Sequence, residues 1–594
     1  MEPDSYSEKS RGASALTKHR AMPHAARLES ALRRFSPGER LLLYALSAML
    51  AFSALGLLAL ANAATSVTIP ARGGSLTEGL VGPVRFVNPL LALSGPDKDI
   101  GALVYSGLMR ATPEGKLIPD LAERVEISED GTVYTFTLRP ALTFHDGAPL
   151  TSADVLFTIA RAQDPEIKSA RRADWEGVSA VAPDPRTVVF TLPHAYAPFL
   201  ENATLGILPK HLWESVSAEE FPFSPLNTRP VGSGPYKVAG FDENATGAVT
   251  RYSFSSFDAF ALGEAHIEKL HFLFYPNEEA LIRAQNAGRV DGVAGISPSR
   301  VGDITRSDLR VARAPLPRTF GVFLNQNKNA VLAESSVRAA LDSALDKQAI
   351  VDEVLKGYGV PLDGPVLPGA LGVAAPAKPE ALRGAASEPE TGRAKRARDI
   401  LSRGGWTWSD EEGVWKKKAL ILSFTLATGD EPSLAATAEA VASAWREAGI
   451  RVEVHVYPLS ELNTVVLRPR NYEAVLFGEV VGRTLDLFAF WHSSQRNDPG
   501  LNIALYTNAK ADALLAQARA TTEKRERDAL YERFIEYVAD DRPAIFLYAP
   551  EFIYVVPERL EGVELGALSG ASERFLNVYE WYADTERVWH IFTE

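Results

Sequence analysis

The chain contains no cysteine, so a disulfide framework, a thiolate nucleophile and a cysteine zinc site are all excluded. A lipoprotein anchor, which needs a cysteine at its cleavage point, is excluded as well. Basic residues are in deficit: 62 Lys and Arg stand against 75 Asp and Glu, a net charge of -13. A nucleic-acid binder would show a basic face or stripe instead, and acidity of this kind mainly favours solubility. The motifs HExxH, GxSxG and GxxxxGK[ST] are missing, and each would have marked a known catalytic or phosphate-binding geometry. His145-Asp146 lies in a turn-forming stretch, FHDGAPL, where a structural role outweighs a catalytic one. His266 and His271 are five apart in a strand-like segment, which puts them on opposite faces, unsuited to one metal. The chain therefore reads as no enzyme, with no cofactor and no metal site.

Long apolar runs are also scarce, with one exception. Leu41 to Leu60 carries no charge, and about 20 residues at 1.5 Å each cross a hydrocarbon core of about 30 Å. Lys18, Arg20, Arg27, Arg33, Arg34 and Arg40 precede it, a basic flank that the positive-inside rule places in the cytoplasm. The reading is a basic cytoplasmic tail at 1–40, a transmembrane signal anchor at 41–64 and an extracytoplasmic remainder. Ala61-Asn62-Ala63-Ala64 is a small-residue cleavage site of the A-x-A type and keeps removal of the segment open, although the run exceeds the usual apolar length of a signal peptide, about 7 to 15 residues.

The remaining 530 or so residues exceed one hydrophobic core, which stops growing at roughly 250 to 300 residues. Apolar content of 46% and charged content of 23% suit folded domains. Turn chemistry and the spacing of Ile100, Leu103, Val104 and Leu108 predict a helix from near Asp97. Thr132 to Leu138 alternates with period two, as in a half-buried strand. Thr151 or Ser152 then caps a helix with Asp154 in its first turn. Residues 365–393, rich in Ala, Pro and Gly, read as a surface loop. Glu411, Glu412 and Lys416 to Lys418 around Trp415 read as an exposed, solvated hairpin.

A series of short motifs runs through this region in order: GLMRATPEGKLIPDLAE from Gly107, DGTVYTFTLRPALTFHDGAPLTSADVLFTI from Asp130, RPVGSGPYKV from Arg229, GVFLNQNK from Gly321, and VRAALDSALDKQAIVDEVLKGYG from Val337. RAKRARDILSRGGW, LSFTLATGD, NYEAVLFGEV, ALYTNAKADALLAQA and ERDALYERFIEYVADDRPAIFLY continue it. The series resembles the family 5 extracellular solute-binding proteins, the oligopeptide- and dipeptide-binding receptors of ABC importers. The resemblance implies an α/β, periplasmic-binding-protein type II fold with three lobes, preceded here by the one transmembrane helix. Lobe I would combine 66–111, 229–317 and 545–594, lobe II would be 112–228, and lobe III 318–544. It further implies capture of a peptide or related small solute between lobes and delivery to membrane permease subunits served by a separate ATPase. A tethered sensor of peptides or cell-wall fragments is the alternative.

The resemblance also nominates ligand contacts. Leu93, Ser94 and Gly95 follow Asn88-Pro89, though Ser and Gly equally suit helix entry. A second contact region in the family reads G-W-x-x-D-Y-x-D-P, its aspartate holding a peptide amine. Here the stretch is Gly478-Glu479-Val480-Val481-Gly482-Arg483-Thr484-Leu485-Asp486, with Glu479 for the tryptophan and Gly482 for the aspartate. A buried ammonium without an ion partner costs several kcal/mol, so recognition of a peptide amine has lost its usual partner. Glu479 or Asp486 is the candidate substitute if the loop is rearranged, and Arg483 the candidate group for a carboxylate or other anion. Phe320 and Asn325 mark the re-entry of the chain near the cleft. Trp491 in LFAFWHSSQ is the aromatic candidate, with a packed helix face as the simpler account.

Overall fold

The computed structural model describes residues 35–368, 370, 390–483, 485–566 and 568–589. The expected tail up to residue 34 and most of the expected loop at 365–393 lie outside the described residues. The chain divides into two units, Met1–Pro70 with Thr585–Glu594, and Ala71–Asp584. In the first, the apolar run makes one helix, Pro37–Thr65. Ser36 starts it through a capping box with Glu39, which satisfies two otherwise orphan backbone donors. Its 22 residues Pro37–Leu58 are long and apolar enough to cross a membrane. The helix begins four residues before the apolar run because the cap, rather than hydropathy, sets its start. Ser66–Pro70 follows directly and pairs antiparallel with Thr585–Trp589.

The second unit is built on a mixed twelve-stranded sheet. Its main order is Arg451–Tyr457, Ser423–Gly429, Ala474–Val480, Arg318–Leu324, Ala544–Pro557, Gly292–Ala294, Ser75–Val81, Lys269–Tyr275, Val249–Ser256 and Tyr236–Glu243. Leu309–Pro315 and Gly359–Pro361 also pair with Ala544–Pro557. That fourteen-residue strand is buried along its length except at Pro550 and Glu551, the continuous apolar pattern of a strand covered on both faces. Before the break it pairs with Arg318–Leu324, and after it with Gly292–Ala294 and Leu309–Pro315. Pro315, Leu316 and Pro317 make the matching return, so two segments cross side by side between the two parts of the sheet.

A separate four-stranded sheet has the order Ala122–Ile127, Val133–Leu138, Thr187–Thr191, Ser179–Asp184. Val133–Leu138 alternates half-buried and buried residues as its sequence predicts. The next helix, Ser152–Gln163, is capped by Thr151 with Asp154. The hairpin around Trp415 forms, but the tryptophan is a core residue: its Nε1–H donates to Ala448 O at 2.9 Å and its ring meets Trp408 edge-on. Apolar area outweighs the flanking charges, which keep their heads in water. His266 precedes the strand that holds His271.

Two polar arrangements tie distant segments together. Gly232 and Gly234 run so close to the end of the helix Gly95–Val104 that a Cβ on Gly232 would stand 2.1 Å from Val104 O. His145 locks this approach, its Nδ1 accepting from Gly232 N–H and its Nε2–H donating to Gly234 O at 3.0 Å. Arg574 is fully buried and donates to both Glu78 and Asp99, with Tyr554 Oη–H donating to Glu78 at 2.9 Å. Its guanidinium also stands 4.0 Å from the centre of the Phe575 ring. The strand Ser75–Val81, the helix Gly95–Val104 and the C-terminal segment thus share one charge network.

Burial holds the His145 imidazole down at about 4. The unfolded chain takes up this proton near its ordinary value of 6.5 while the folded chain refuses it, so stability falls as pH drops through that window. Urea denaturation between pH 7 and pH 4 should show this loss, and His145→Gln should flatten the curve. Arg574→Ala should cost about 3 to 5 kcal/mol, because two buried carboxylates lose their counter-charge; the same denaturation assay at pH 7 measures it.

Candidate functional site

The strands Arg318–Leu324 and Ala474–Val480 pair antiparallel, with Arg318 opposite Val480. The start of one therefore lies beside the end of the other, and their flanking loops emerge together. Val481 N–H donates to Pro317 O at 2.9 Å, joining the loops. At this place is a cavity of about 370 Å³, within the range of small-ligand pockets, about 300 to 1,000 Å³. Pro315, Pro317 and Thr319 form one wall, and Val481, Gly482, Arg483 and Leu485 another. Lys524, Arg527 and Asp528 of the helix Lys524–Asp541 close a third side, with Glu114, Gly115, Leu568 and Ser569 beyond. No atom lies within 4 Å of where a Cβ on Gly482 would sit, so this part of the wall has room for a larger group.

Charge is paired around the cavity. Arg483 is buried, with Nη1 donating to Glu201 at 3.2 Å and Nη2 to Glu573 at 2.5 Å. Burial raises the pKa of both acids, and the guanidinium opposes that rise. Glu573 also accepts from Ser569 N–H. Asp486 pairs with Arg519 at 2.8 Å, and the Arg519 guanidinium lies over the Phe488 and Tyr196 rings. Arg483 and Asp486 are thus engaged by protein partners in this state.

Glu479 is different. It is 3% exposed, and neither carboxyl oxygen has a hydrogen-bond partner among the described residues. It stands directly opposite Thr319 across the strand pair, so both side chains leave the same face of the sheet, and Thr319 lines the cavity. Burial alone drives the Glu479 pKa well above its ordinary 4.5, which favours the neutral form over a buried charge.

The remaining sequence candidates are dispersed. Ser94 is the N-cap of the helix Gly95–Val104: its hydroxyl accepts from Asp97 N–H and donates to the Asp97 carboxylate. Leu93 beside it is exposed, and none of Leu93, Ser94 and Gly95 lines the cavity. Phe320 stacks on Tyr548, with ring centres 5.4 Å apart, on the opposite sheet face from Thr319. Gly478 lies against the Phe320 ring, and Val480 is exposed at the strand end. Asn325 is at the far end of the strand, about 20 Å from Thr319 at 3.3 Å per residue, and borders a second cavity of about 380 Å³ with Lys328, Arg470 and Asp498. Trp491 is no cavity wall: it is fully buried between Phe323, Tyr506, Phe534 and Phe546, because its short helix turns inward to complete an apolar cluster.

Sequence reasoning missed Thr319, the prolines before it and the wall from Lys524–Asp541. The PLPRT spacing at Pro315–Thr319 was the available signal, since two prolines beside a strand predict a rigid, irregular edge. Among the described residues no group of three His, Cys, Asp or Glu side chains is placed to hold a metal ion.

Glu479→Gln should stabilise the protein at neutral pH. The unfolded glutamate ionises above about 4.5 while the folded one resists, so native stability declines as pH rises through that range. The gain should vanish below pH 4.5, and thermal melting at pH 4 and pH 7.5 reads the difference.

The family profile described as bacterial extracellular solute-binding proteins, family 5 Middle, matches residues 116–512. The oligopeptide-binding protein AppA of Bacillus subtilis (strain 168) is 27% identical over 508 residues, which cover 84% of this chain and 91% of that protein. The solved structure of Bacillus subtilis AppA in complex with a nonapeptide aligns with a TM-score of 0.64 at 25% identity, covering 87% of this chain and all of that one. NikZ from Campylobacter jejuni in complex with Ni(L-His) aligns with a TM-score of 0.64 at 26% identity, covering 86% of this chain and 99% of that one.

Proposed function

The chain belongs to the bacterial extracellular solute-binding proteins, family 5, and on that premise we propose that it captures a short peptide or related small solute in the cavity at the strand crossing and delivers it to the permease of an ABC importer. The observation that carries this reading is the construction of the cavity. Its walls come from Pro315–Thr319, Val481–Leu485 and Lys524–Asp528, beside Glu114 and Leu568, stretches that belong to separate parts of the sheet and its coverings. Such a site changes shape when those parts move about the two crossing segments, as a hinged receptor requires. The three-lobe division at residues 111/112, 228/229, 317/318 and 544/545 is part of this proposal; the cut at 317/318 falls in the Pro315–Arg318 crossing, whereas the strand Ala544–Pro557 changes partners at Pro550–Glu551, beyond the cut at 544/545.

A volume of about 370 Å³ suits a small ligand. The relatives include one solved with a nonapeptide and one solved with a nickel complex, so the fold leaves ligand class to the lining. Thr319, Gly482 and Leu485 are the proposed contacts, with Arg527 supplying positive charge to the wall while Asp528 matches the charge of Lys524. The helix Pro37–Thr65 is the proposed membrane anchor, with the binding unit outside and ATP hydrolysed by a separate subunit. The chemistry asked of this chain is capture and release, for which no catalytic group is needed.

Gly482→Trp tests the site. The glycine φ lies outside the left-handed region and its side is open, so the indole enters the cavity without backbone strain. The full chain in detergent micelles, mixed with a tripeptide library, should retain bound peptide in native mass spectrometry, whereas Gly482→Trp should retain at least about tenfold less with an unchanged circular dichroism spectrum. Equal retention by the two proteins would move the site elsewhere.

A further inference from the structure

We propose that the second cavity, at the far end of the strand Arg318–Leu324, binds a phosphate group carried on a small organic ligand. The inference goes beyond the receptor reading, and the two cavities share no lining residue. Three cations, Lys328, Arg468 and Arg470, line this cavity of about 380 Å³ together with one carboxylate, Asp498. Three against one leaves an excess of two positive charges, on a chain whose net charge is -13. The cluster therefore runs against the general character of the surface. Charges of one sign in a concave wall focus their field and concentrate anions there.

The cations are held in place without being neutralised. Arg470 Nε donates to Arg496 O at 2.9 Å, Nη1 to Leu467 O at 2.6 Å and Nη2 to Gly500 O at 2.6 Å. These carbonyls fix the guanidinium plane and leave its charge intact. A guanidinium has five N–H groups, so one on Nη1 and one on Nη2 remain without a partner among the described residues. Lys328 Nζ donates to the neutral Asn471 Oδ1 at 3.3 Å. Arg468 stands 3.9 Å from Asp498, with both side chains more than half exposed, and a pair so long and so wet is weak. The walls are tied together by Asn325, which is 3% exposed: its amide donates to Arg470 O at 3.2 Å and accepts from Asn327 N–H. The turn that presents Arg470 is thus joined to the loop that presents Lys328.

The donor set selects phosphate. A phosphate monoester carries about -1.5 to -2 charge at neutral pH and three strong acceptor oxygens, which matches the excess charge of the wall. Arginine meets phosphate through its planar fork and lysine as a point charge. The Asn327 and Asn497 amides line the same cavity and add neutral donors, more than the two oxygens of a carboxylate can use. The volume is within the range of small-ligand pockets, about 300 to 1,000 Å³, so it has room for the organic part of an ester. A soluble phosphate ester and a phospholipid headgroup both offer this chemistry.

Calorimetric titration of the full-length chain in non-ionic detergent tests the site, with glycerol 3-phosphate as the soluble probe and dihexanoyl phosphatidic acid as the lipid one. The parent should take up one equivalent of phosphate probe, more weakly as salt rises, and should not respond to glycerol. Lys328→Glu with Arg468→Glu should weaken binding at least about tenfold, and Asp498→Asn should tighten it. Both reversed side chains are exposed, so the circular dichroism spectrum and tripeptide retention should be unchanged. Equal affinity for the two probes assigns a soluble ester, and affinity at least about tenfold higher for the lipid assigns a headgroup; either result upholds the site. A parent that takes up neither probe, or a doubly reversed variant that binds as the parent does, overturns it.

Discussion

The strand Ala544–Pro557 is the constraint on which the rest of the binding unit depends. Among the described residues it is the strand that pairs with partners on both sides of the crossing. Its two halves must each satisfy their backbone donors and acceptors within a different set of neighbours. Pro550 and Glu551 are where those sets change and where burial relaxes. The return path through Pro315 and Pro317 lies alongside, so only a few residues connect the two parts of the sheet here. A cavity opening at Pro315, Pro317 and Thr319 is therefore beside this crossing, which is the pivot in the proposed hinged receptor.

Charge is used in three ways within this frame. Arg574 sits inside a core and joins distant segments of the chain, satisfied by Glu78, Asp99 and the Phe575 ring. Arg483 makes a similar double ion pair beside the cavity, reaching from one apolar cluster to residues of another. Glu479 has no hydrogen-bond partner among the described residues, and burial favours its neutral form. The distinction follows from place: a charge inside a core must be matched by an opposite charge, whereas a carboxyl can be buried unpaired by taking up a proton.

Local patterns were the most legible features of the sequence. The alternation through Val133–Leu138, the Thr151–Asp154 cap and the apolar run of the first helix are each set by neighbours a few residues apart, and the structure forms all three. The ordered motifs carried the family. The helix entry at Ser94 was legible too, as one of two readings of the same residues. What sequence could not convey was the face on which a residue emerges and the partner it meets. Phe320 and Thr319 are adjacent, yet one stacks on Tyr548 and the other lines the cavity. Arg483 was legible as an anion-binding group, but its carboxylates lie 282 and 90 residues away, and only folding brings them to it. Trp491 has the residue type of a cleft wall and the surroundings of a core, a difference created by tertiary packing.

The central claim is that this chain hands a captured solute to a membrane importer. The most direct measurement is ATP hydrolysis by a candidate ABC permease and ATPase, reconstituted in proteoliposomes, with and without the full-length receptor loaded from a tripeptide mixture. The account predicts that the loaded receptor raises the hydrolysis rate and the unloaded receptor raises it far less. A rate unaffected by a receptor that demonstrably carries peptide would contradict the claim.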